Sequence, residues 1–366
     1  MSKLIAVTRS SMPGYEEYCE EIKVLWENRW LSNRGCIHKA FEAQLQEFLG
    51  QPYVFLYSNG HVALEVGIDA LQLPKGGEVI TTPYTHCSTT HSIVRNGLVP
   101  IFCDINDTDY TIDVNQIEKY ITPKTVAIMA THVYGVLCDV EAIDAIAKKY
   151  NLKVIYDAAH AFGVKKDGKD VSSWGDMSMF SCHATKVFHT IEGGITVFKD
   201  KESYDIIDEL VNFGFKNAEE VNYVSTNARM NEYEAAMGVC NLRHFWDEVA
   251  KRKVAYDRYK ERLDGHKGIK FIADQPGITK NYAYMPVFFD GYKYNRNEIQ
   301  KMLGEQNILA RKYFYPIIPD LKCYQDLGYK SNYPVASHAA DTVLALPMFA
   351  DLNVEDVDRI CDIILG

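Results

Sequence analysis

The sequence predicts an α/β protein built on a mostly parallel sheet with helices on both of its faces. Seven short apolar runs rich in Val, Ile and Phe recur through the first two thirds of the 366-residue chain. Their hydrophobicity is continuous rather than alternating, which is typical of strands that are buried on both faces. Helical patterns separate these runs, and such alternation favours parallel strands joined by crossover helices.

The predicted strands and helices follow one another in a regular order. The strands occupy residues 53–57, 78–81, 100–105, 126–133, 153–160, 177–183 and 193–198. A helix over 38–49 precedes the first strand, and Gly50 and Pro52 end it. Another helix over 139–150 carries a single apolar stripe that includes Val140 and Ile143. These elements predict a large domain over residues 1–245, with an N-terminal arm.

The pattern changes after about residue 230. A long helical stretch from Met230 to about Leu263 leads to strand-like runs over 270–274 and 284–289. Helices near 297–305 and over 354–365 follow them. This arrangement predicts a smaller α+β domain over residues 246–366, of ordinary domain size.

Composition excludes several classes of protein. The chain holds 39 Lys and Arg against 49 Asp and Glu, a net charge of −10 without any basic run, so we expect no nucleic-acid surface. It contains no apolar run of the roughly 18 residues that a membrane helix needs, and no signal peptide. The nine cysteines never come closer than sixteen positions, which excludes CxxC metal or redox pairs and predicts free thiols in the cytoplasm.

Polar residues that follow the strands are the candidates for a ligand site, because ligands of open α/β sheets bind beyond the carboxyl ends of the strands. Asn59, Gly60 and His61 open a helix after the first strand, where free N–H groups could hold a phosphate. Asp157 ends a strongly apolar run, and Lys186 follows another in a Ser/Thr/Gly setting. Each feature alone has an ordinary structural explanation: a plain turn, a capping carboxylate or a solvated lysine.

Together the three features match the needs of pyridoxal 5'-phosphate. The phosphate needs a helix N-terminus, the pyridine nitrogen needs an acid, and the aldehyde needs a lysine amine. Tyr84 and His86 offer rings that could cover the cofactor. Neither GxGxxG after a strand nor GxxxxGK[ST] occurs, which argues against a nicotinamide dehydrogenase and a P-loop enzyme.

The chain resembles the sugar aminotransferases of the DegT/DnrJ/StrS family, in order and over nearly its whole length. The resemblance is carried by Trp30-Leu31-Ser32, Ser58-Asn59-Gly60, Thr82-Pro83-Tyr84, His132-Val133-Tyr134-Gly135, Asp157-Ala158-Ala159-His160, Ser181 to Lys186, Glu192-Gly193-Gly194, Asn227 to Met230 and Leu346-Pro347-Met348. It implies the fold-type I architecture of the pyridoxal-phosphate transferases, which is like that of aspartate aminotransferase.

The resemblance also implies roles for individual residues. Lys186 would be the catalytic Schiff-base lysine, and Asp157 would pair with the pyridine nitrogen. The phosphate would be held by Ser181, by the backbone around Asn59, Gly60 and His61, and by Asn227 of a neighbouring subunit in a homodimer with shared active sites. His86 and His160 stand where the family commonly has an aromatic ring and a Gln, so ring stacking and the contact to the cofactor's 3-hydroxyl depart from the family pattern.

The same resemblance suggests a substrate. The stretch from His183 to Lys186, followed by Glu192, resembles members that aminate C4 of dTDP-4-keto-6-deoxyglucose for O-antigen synthesis, with L-glutamate as donor and pyridoxamine 5'-phosphate and 2-oxoglutarate formed in the first half-reaction. Members acting at C3 more often carry Tyr-Pro-Gly-Lys there. Candidate substrate contacts are His183, Arg229, Tyr313 and Phe314.

Three alternatives remain at this level. One is amination of another nucleotide-linked keto sugar, at C3 or with galacto stereochemistry. A second is a non-catalytic regulator that only binds the cofactor, and a third is a transaminase for amino acids. A related dehydratase activity is disfavoured because those enzymes replace the Schiff-base lysine by His, and position 186 is Lys.

Overall fold

A computed structural model describes residues 4–366 of the chain. Its α-helices are α1 Tyr15–Ile22, α2 Val24–Asn28, α3 Cys36–Leu49, α4 Gly60–Ala70, α5 Cys87–Arg95, α6 Val114–Ile117, α7 Val140–Tyr150, α8 Lys201–Asp205, α9 Ile207–Leu210, α10 Glu232–Leu263, α11 Arg296–Glu305, α12 Lys322–Asp326, α13 Pro334–Thr342 and α14 Val354–Leu365. Short 3₁₀ turns cover Glu118–Tyr120, Val133–Gly135, Val171–Ser173 and Ile318–Asp320.

The strands form one large sheet and two small ones. They are β1 Val54–Tyr57, β2 Glu78–Thr81, β3 Val99–Phe102, β4 Thr125–Thr131, β5 Lys153–Asp157, β6 Lys165–Lys166, β7 Lys169–Asp170, β8 Met177–Ser181, β9 Gly194–Phe198, β10 Ile269–Lys270, β11 Ile278–Thr279, β12 Met285–Phe289 and β13 Val343–Leu346. All seven predicted strands of the first two thirds are present, most of them shorter than predicted at the carboxyl end.

The central sheet is mixed but mostly parallel, as the sequence predicted. Its order is β1-β9-β8-β5-β4-β2-β3. The pairs from β8 through β5, β4 and β2 to β3 are all parallel, whereas β9 is antiparallel to both of its neighbours. The carboxyl ends of β2, β4, β5 and β8 therefore lie along the same edge, where a ligand site is expected.

Helices cover both faces of this sheet. Side chains alternate along each strand, so Leu56 lies in the core beneath α3, α7 and α10, while its neighbour Tyr57 lies in the core beneath α4 and α9. The two cores contain apolar side chains that are almost wholly inaccessible to solvent. Burial on both faces is the physical reason for the continuous apolar runs in the sequence.

The long helix α10 connects the central sheet to the rest of the chain. The predicted boundary at residues 245 and 246 falls inside this helix, so the division into domains stays a prediction. Its second half packs on a separate core around the antiparallel sheet β10-β12-β13 and α14. No strand was predicted at β13, and only Lys270 of the run predicted over 270–274 belongs to a strand, which begins at Ile269.

A buried carboxylate ties the start of α10 to the start of α3. Glu232 is wholly buried, and its two oxygens accept hydrogen bonds from the backbone N–H groups of Gly35, Ile37 and His38. The first turn of a helix leaves such N–H groups without partners, and a negative charge there is favourable. Glu232 therefore caps a helix that lies almost 200 positions away in the sequence.

Two further findings concern the described residues. Within residues 4–366, no helix has the length and hydrophobicity to cross a membrane, and no three His, Cys, Asp or Glu side chains are grouped as metal ligands. All nine cysteines fall in this range and are free thiols.

Candidate active site

A cleft of about 570 Å³ opens at the carboxyl edge of the central sheet. It brings together eleven of the thirteen residues that the sequence singled out, from five separate stretches of chain. They are Asn59, Gly60, His61, His86, Asp157, His160, Ser181, His183, Lys186, Tyr313 and Phe314. Residues about 250 positions apart thus line a single cavity. All of these stretches except 313–314 lie at or after the end of a strand of the central sheet, or at the start of the helix that follows the strand.

Asn227 and Arg229 do not line this cleft. Both side chains are hydrogen bonded to one another, with Arg229 Nε donating to Asn227 Oδ1 at 3.1 Å, and the Arg229 guanidinium also donates to Asn212. The guanidinium lies over the ring of Phe213. The suggestion that Arg229 contacts substrate within its own subunit therefore has no support from the geometry of a single chain.

The first wall of the cleft is the N-terminus of α4. Asn59 caps this helix, since its Oδ1 accepts a hydrogen bond from Val62 N at 2.9 Å. This cap leaves the N–H groups of Gly60 and His61 for a ligand. A Cβ at position 60 would lie 3.0 Å from Cβ and Oγ of Ser181, so a larger residue would push the helix and the end of β8 apart by a few tenths of an ångström.

The floor of the cleft is the carboxylate of Asp157 at the end of β5. The residue is 3% exposed, and its oxygens accept hydrogen bonds from Ala159 N and from Thr89 Oγ1, the latter at 2.6 Å. Because Thr89 donates to the carboxylate, its oxygen must accept from Thr85, which in turn accepts from Thr131. A chain of three hydroxyls thus points its donors towards an ionised Asp157.

Thr89 was missed by the sequence analysis, although a signal was available. It lies three positions after His86, and residues at that spacing share a face at the start of a helix. His86 lines the cleft, whereas Thr89 is buried behind its lining and contacts Asp157 from there.

Lys186 reaches into the cleft from the loop that follows β8. Its Nζ lies 3.4 Å from the phenolic oxygen of Tyr284 and 5.9 Å from the centre of that ring. Tyr284 immediately precedes β12, in the second half of the chain. Nothing in the local sequence marks it as a site residue, because only the tertiary packing of the chain brings it to Lys186.

His86 is the N-cap of α5 and lines the cleft above Asp157. Its Nδ1 accepts a hydrogen bond from Ser88 N, so a neutral ring carries its proton on Nε2. Burial lowers the pKa of His86, and the positive charge of Lys186 acts in the same direction, whereas Asp157 opposes both. The ring is therefore neutral at physiological pH, which suits stacking on a flat ligand.

His160 is held as a neutral donor. Its Nδ1 accepts a hydrogen bond from Tyr134 N at 3.0 Å, which leaves the proton on Nε2. Burial holds the pKa of His160 well below its ordinary value, with Lys186 and His86 adding to the effect. A neutral imidazole with a fixed Nε2–H offers one hydrogen-bond donor where the resemblance implies the amide NH2 of a glutamine.

The rim of the cleft is more polar and more open. His183 Nε2 lies 3.5 Å from Glu192, and both side chains are about half exposed. Arg311 lines the opposite side, where its guanidinium donates to the phenolic oxygen of Tyr313 at 2.5 Å. Among the cleft-lining residues that the structure describes, Arg311 is the one arginine and Lys186 the one lysine.

Comparison with known proteins agrees with this geometry. The sequence profile of the DegT/DnrJ/EryC1/StrS aminotransferase family matches residues 14–365. A dTDP-4-amino-4,6-dideoxy-D-glucose transaminase of Shigella dysenteriae is 42% identical over 98% of this chain and 98% of its own length.

Two solved structures share the fold over the whole chain. The crystal structure of DesI in the presence of its TDP-sugar product has a TM-score of 0.93 and 28% identity, and covers 100% of this chain and 93% of that one. The pyridoxal-phosphate form of the sugar aminotransferase Spr1654 of Streptococcus pneumoniae has a TM-score of 0.89 and 25% identity, with 96% of each chain covered. The chain belongs to the DegT/DnrJ/EryC1/StrS aminotransferase family.

Proposed function

We propose that this protein is a pyridoxal-phosphate-dependent aminotransferase that transfers the amino group of L-glutamate to C4 of dTDP-4-keto-6-deoxy-D-glucose. The observation that carries the proposal is the convergence of Lys186, Asp157 and the α4 N-terminus in one cleft. The choice of sugar is supported by the name of the Shigella relative, which matches this chain end to end.

The residues present fit the cofactor. The N–H groups of Gly60 and His61 and the hydroxyl of Ser181 would hold the phosphate, as anions bind at helix N-termini. Asp157 would bind the ring nitrogen, His86 would cover the ring, and the Nε2–H of His160 would donate to the ring hydroxyl. When bound, this cofactor supplies an electron sink for the carbon from which a proton is removed.

The chain contributes proton transfer and electrostatics. Lys186 Nζ would hold the cofactor covalently at rest and, once displaced by the incoming amine, would be the base beside the substrate carbon. The hydroxyls of Thr131, Thr85 and Thr89 stabilise the charge on Asp157, and this ionised carboxylate favours a protonated partner.

The rim would bind the nucleotide sugar. Arg311 is a cation for its diphosphate, because a guanidinium can donate two parallel hydrogen bonds to phosphate oxygens. Tyr313 and Phe314 offer rings to the sugar or the base, and His183 with Glu192 offers polar contacts on the opposite side.

We further propose a homodimer in which Asn227 completes the phosphate site of the partner. Asn227 lies outside the cleft of its own chain, and the preceding segment exposes the apolar side chains of Phe213, Phe215, Val221 and Val224. Exposed apolar clusters of this kind mark interaction surfaces. The free thiols fit a cytoplasmic enzyme, and the amino sugar would serve O-antigen synthesis.

Separate half-reactions test the function. The protein loaded with pyridoxal phosphate should convert L-glutamate to one equivalent of 2-oxoglutarate per protomer in the absence of sugar. After removal of glutamate, added dTDP-4-keto-6-deoxyglucose should yield one equivalent of the 4-amino sugar, whose configuration NMR would report. Formation of 2-oxoglutarate without amination would indicate another keto sugar, and failure of the first step would favour the regulator.

A further inference from the structure

The segment from Arg311 to Phe314 enters the cleft from the second half of the chain and is held at two points. At its start, Arg311 pairs with β13, since Arg311 N donates to Ala345 O and Ala345 N donates to Arg311 O. At its other end, the carbonyl oxygen of Tyr313 accepts a hydrogen bond from the phenol of Tyr134, and the phenolic oxygen of Tyr84 lies 3.3 Å from the same carbonyl. The first anchor belongs to the small sheet, and the second to the central sheet.

The two phenols form a short directed chain. Tyr84 follows β2 and Tyr134 follows β4, so both stand at the carboxyl edge of the central sheet. Their oxygens are 2.6 Å apart, and because Tyr134 donates its proton to the Tyr313 carbonyl, Tyr84 is the donor between them. Tyr84 is 0% exposed and Tyr134 is 5% exposed. Burial raises the pKa of both phenols, which remain donors at all ordinary pH values.

Tyr134 also contacts the cofactor side of the cleft. Its backbone N–H donates to His160 Nδ1, and its ring stacks against Phe314 at 6.1 Å between centres. The residue adopts a left-handed backbone conformation, with φ 57° and ψ 9°. A non-glycine residue holds such a conformation only where its surroundings fix it. Here the backbone bond to His160 and the side-chain bond to Tyr313 fix it from opposite sides.

We infer that Tyr134, supported by Tyr84, is a positioning residue for the nucleotide-sugar wall of the cleft, acting through the Tyr313 carbonyl to hold Arg311 and Phe314 in place. The inference rests on the proposed function and adds a determinant of substrate affinity that contacts no substrate atom. A loose segment would need to be ordered by each incoming substrate, and that ordering lowers affinity.

Phenylalanine substitutions isolate the phenols, because they keep the rings and the backbone N–H to His160. Tyr134→Phe in the holoenzyme should raise the KM for dTDP-4-keto-6-deoxyglucose about fivefold and leave kcat within about twofold. Tyr84→Phe should have a smaller effect of the same kind, since Tyr134 still donates to Tyr313. In the double variant, the increase in KM should be larger than the product of the two single increases, because in each single variant the remaining phenol can still donate to Tyr313.

A matched control separates positioning from stability. Tyr259 is a buried tyrosine whose phenol donates to the carbonyl of Pro347 at 3.1 Å, outside the cleft. Tyr259→Phe should lower the melting temperature as Tyr134→Phe does, but without any change in KM. If Tyr134→Phe behaves like this control, or lowers kcat instead of raising KM, the inference is wrong. Should Tyr134→Phe fail to fold, an unchanged KM in Tyr84→Phe overturns it.

Binding without turnover gives an independent readout. Calorimetry with thymidine diphosphate should show a dissociation constant about fivefold weaker in Tyr134→Phe than in wild type, with the affinity for pyridoxal phosphate unchanged. If the wild-type protein binds thymidine diphosphate but makes no amino sugar, the proposed function is refuted. The affinities of wild type and Tyr134→Phe for thymidine diphosphate would then still decide the inference. Absence of thymidine diphosphate binding in wild type, or equal binding in both proteins, would overturn the inference.

Discussion

The two sides of the cleft are built in different ways. On the cofactor side, Asp157 and Ser181 are the last residues of β5 and β8, and Asn59 lies two positions after β1, so the register of one sheet places them. On the substrate side, Arg311 to Phe314 belong to a segment with no regular structure, held by β13 and by two phenols of the central sheet. The cofactor side is thus fixed by local secondary structure, and the substrate side by contacts between distant parts of the chain.

This structural difference predicts that substitutions on the two sides of the cleft change different kinetic parameters. Substitutions on the cofactor side should reduce turnover whatever the amino acceptor, because every substrate meets the same amine and carboxylate. Substitutions on the substrate side should change the affinity for the nucleotide sugar. If substitutions on either side changed both the turnover and the affinity for the nucleotide sugar, the two sides would not differ in function.

The largest effect is expected at Lys186. Lys186→Ala removes the amine that we propose holds the cofactor and moves the proton, so turnover should fall by about 10⁴-fold. Dialysis should also strip pyridoxal phosphate from the variant more readily than from wild type. Lys301→Ala, at an exposed lysine outside the cleft, serves as the control and should retain full activity. Retained turnover in Lys186→Ala would contradict its assignment.

Asp157 should have the next largest effect. Asp157→Asn keeps the shape of the side chain but removes the charge that stabilises a protonated ring nitrogen, and kcat should fall by about 10²–10³-fold for any acceptor. Asp139→Asn is a suitable control, because Asp139 caps α7 and asparagine caps a helix equally well. A change confined to the KM of the sugar would place Asp157 on the substrate side instead.

Arg311 tests the substrate side directly. Arg311→Met keeps the aliphatic stem but removes the guanidinium, and the KM for the nucleotide sugar should rise about tenfold or more with little loss of kcat. Steady-state kinetics with varied sugar would measure this, with Arg359→Met as the control outside the cleft. A large fall in kcat at saturating sugar would show that Arg311 acts in the chemistry.

The smallest effect concerns pH and does not involve the cleft. Burial lowers the pKa of His38 in α3 to about 3. The unfolded chain therefore binds a proton below about pH 6.5 that the folded chain does not, so acid destabilises the fold. Between pH 6.5 and 5.5, this histidine should remove about 1 kcal/mol from the free energy of unfolding. Urea titrations of His38→Gln should show a pH dependence of the free energy of unfolding that is smaller than that of wild type by this amount.

The sequence was sufficient for the central sheet. Predicted and observed bounds coincide for β2 and α14, and agree to within a few residues elsewhere, because continuous apolar runs and helical stripes are strong local signals. The convergence of the proposed cofactor-binding residues in one cleft could be predicted for the same reason, since the carboxyl ends of such strands meet at one edge. Strand β13 was missed because its four residues follow directly on a helix, without a turn signal between them.

The contacts between residues distant in sequence were decided by the tertiary structure alone. Tyr284 reaches Lys186, and Tyr134 reaches Tyr313, across about 100 and 180 positions of chain, and no local pattern records such contacts. The same holds for Glu232, whose role as the cap of α3 depends on where α10 begins. Local sequence determines which residues can hold a cofactor, because backbone geometry has a short range. The packing of the second half of the chain against the first determines what else meets that cofactor, because side chains distant in sequence become neighbours only when the cores form.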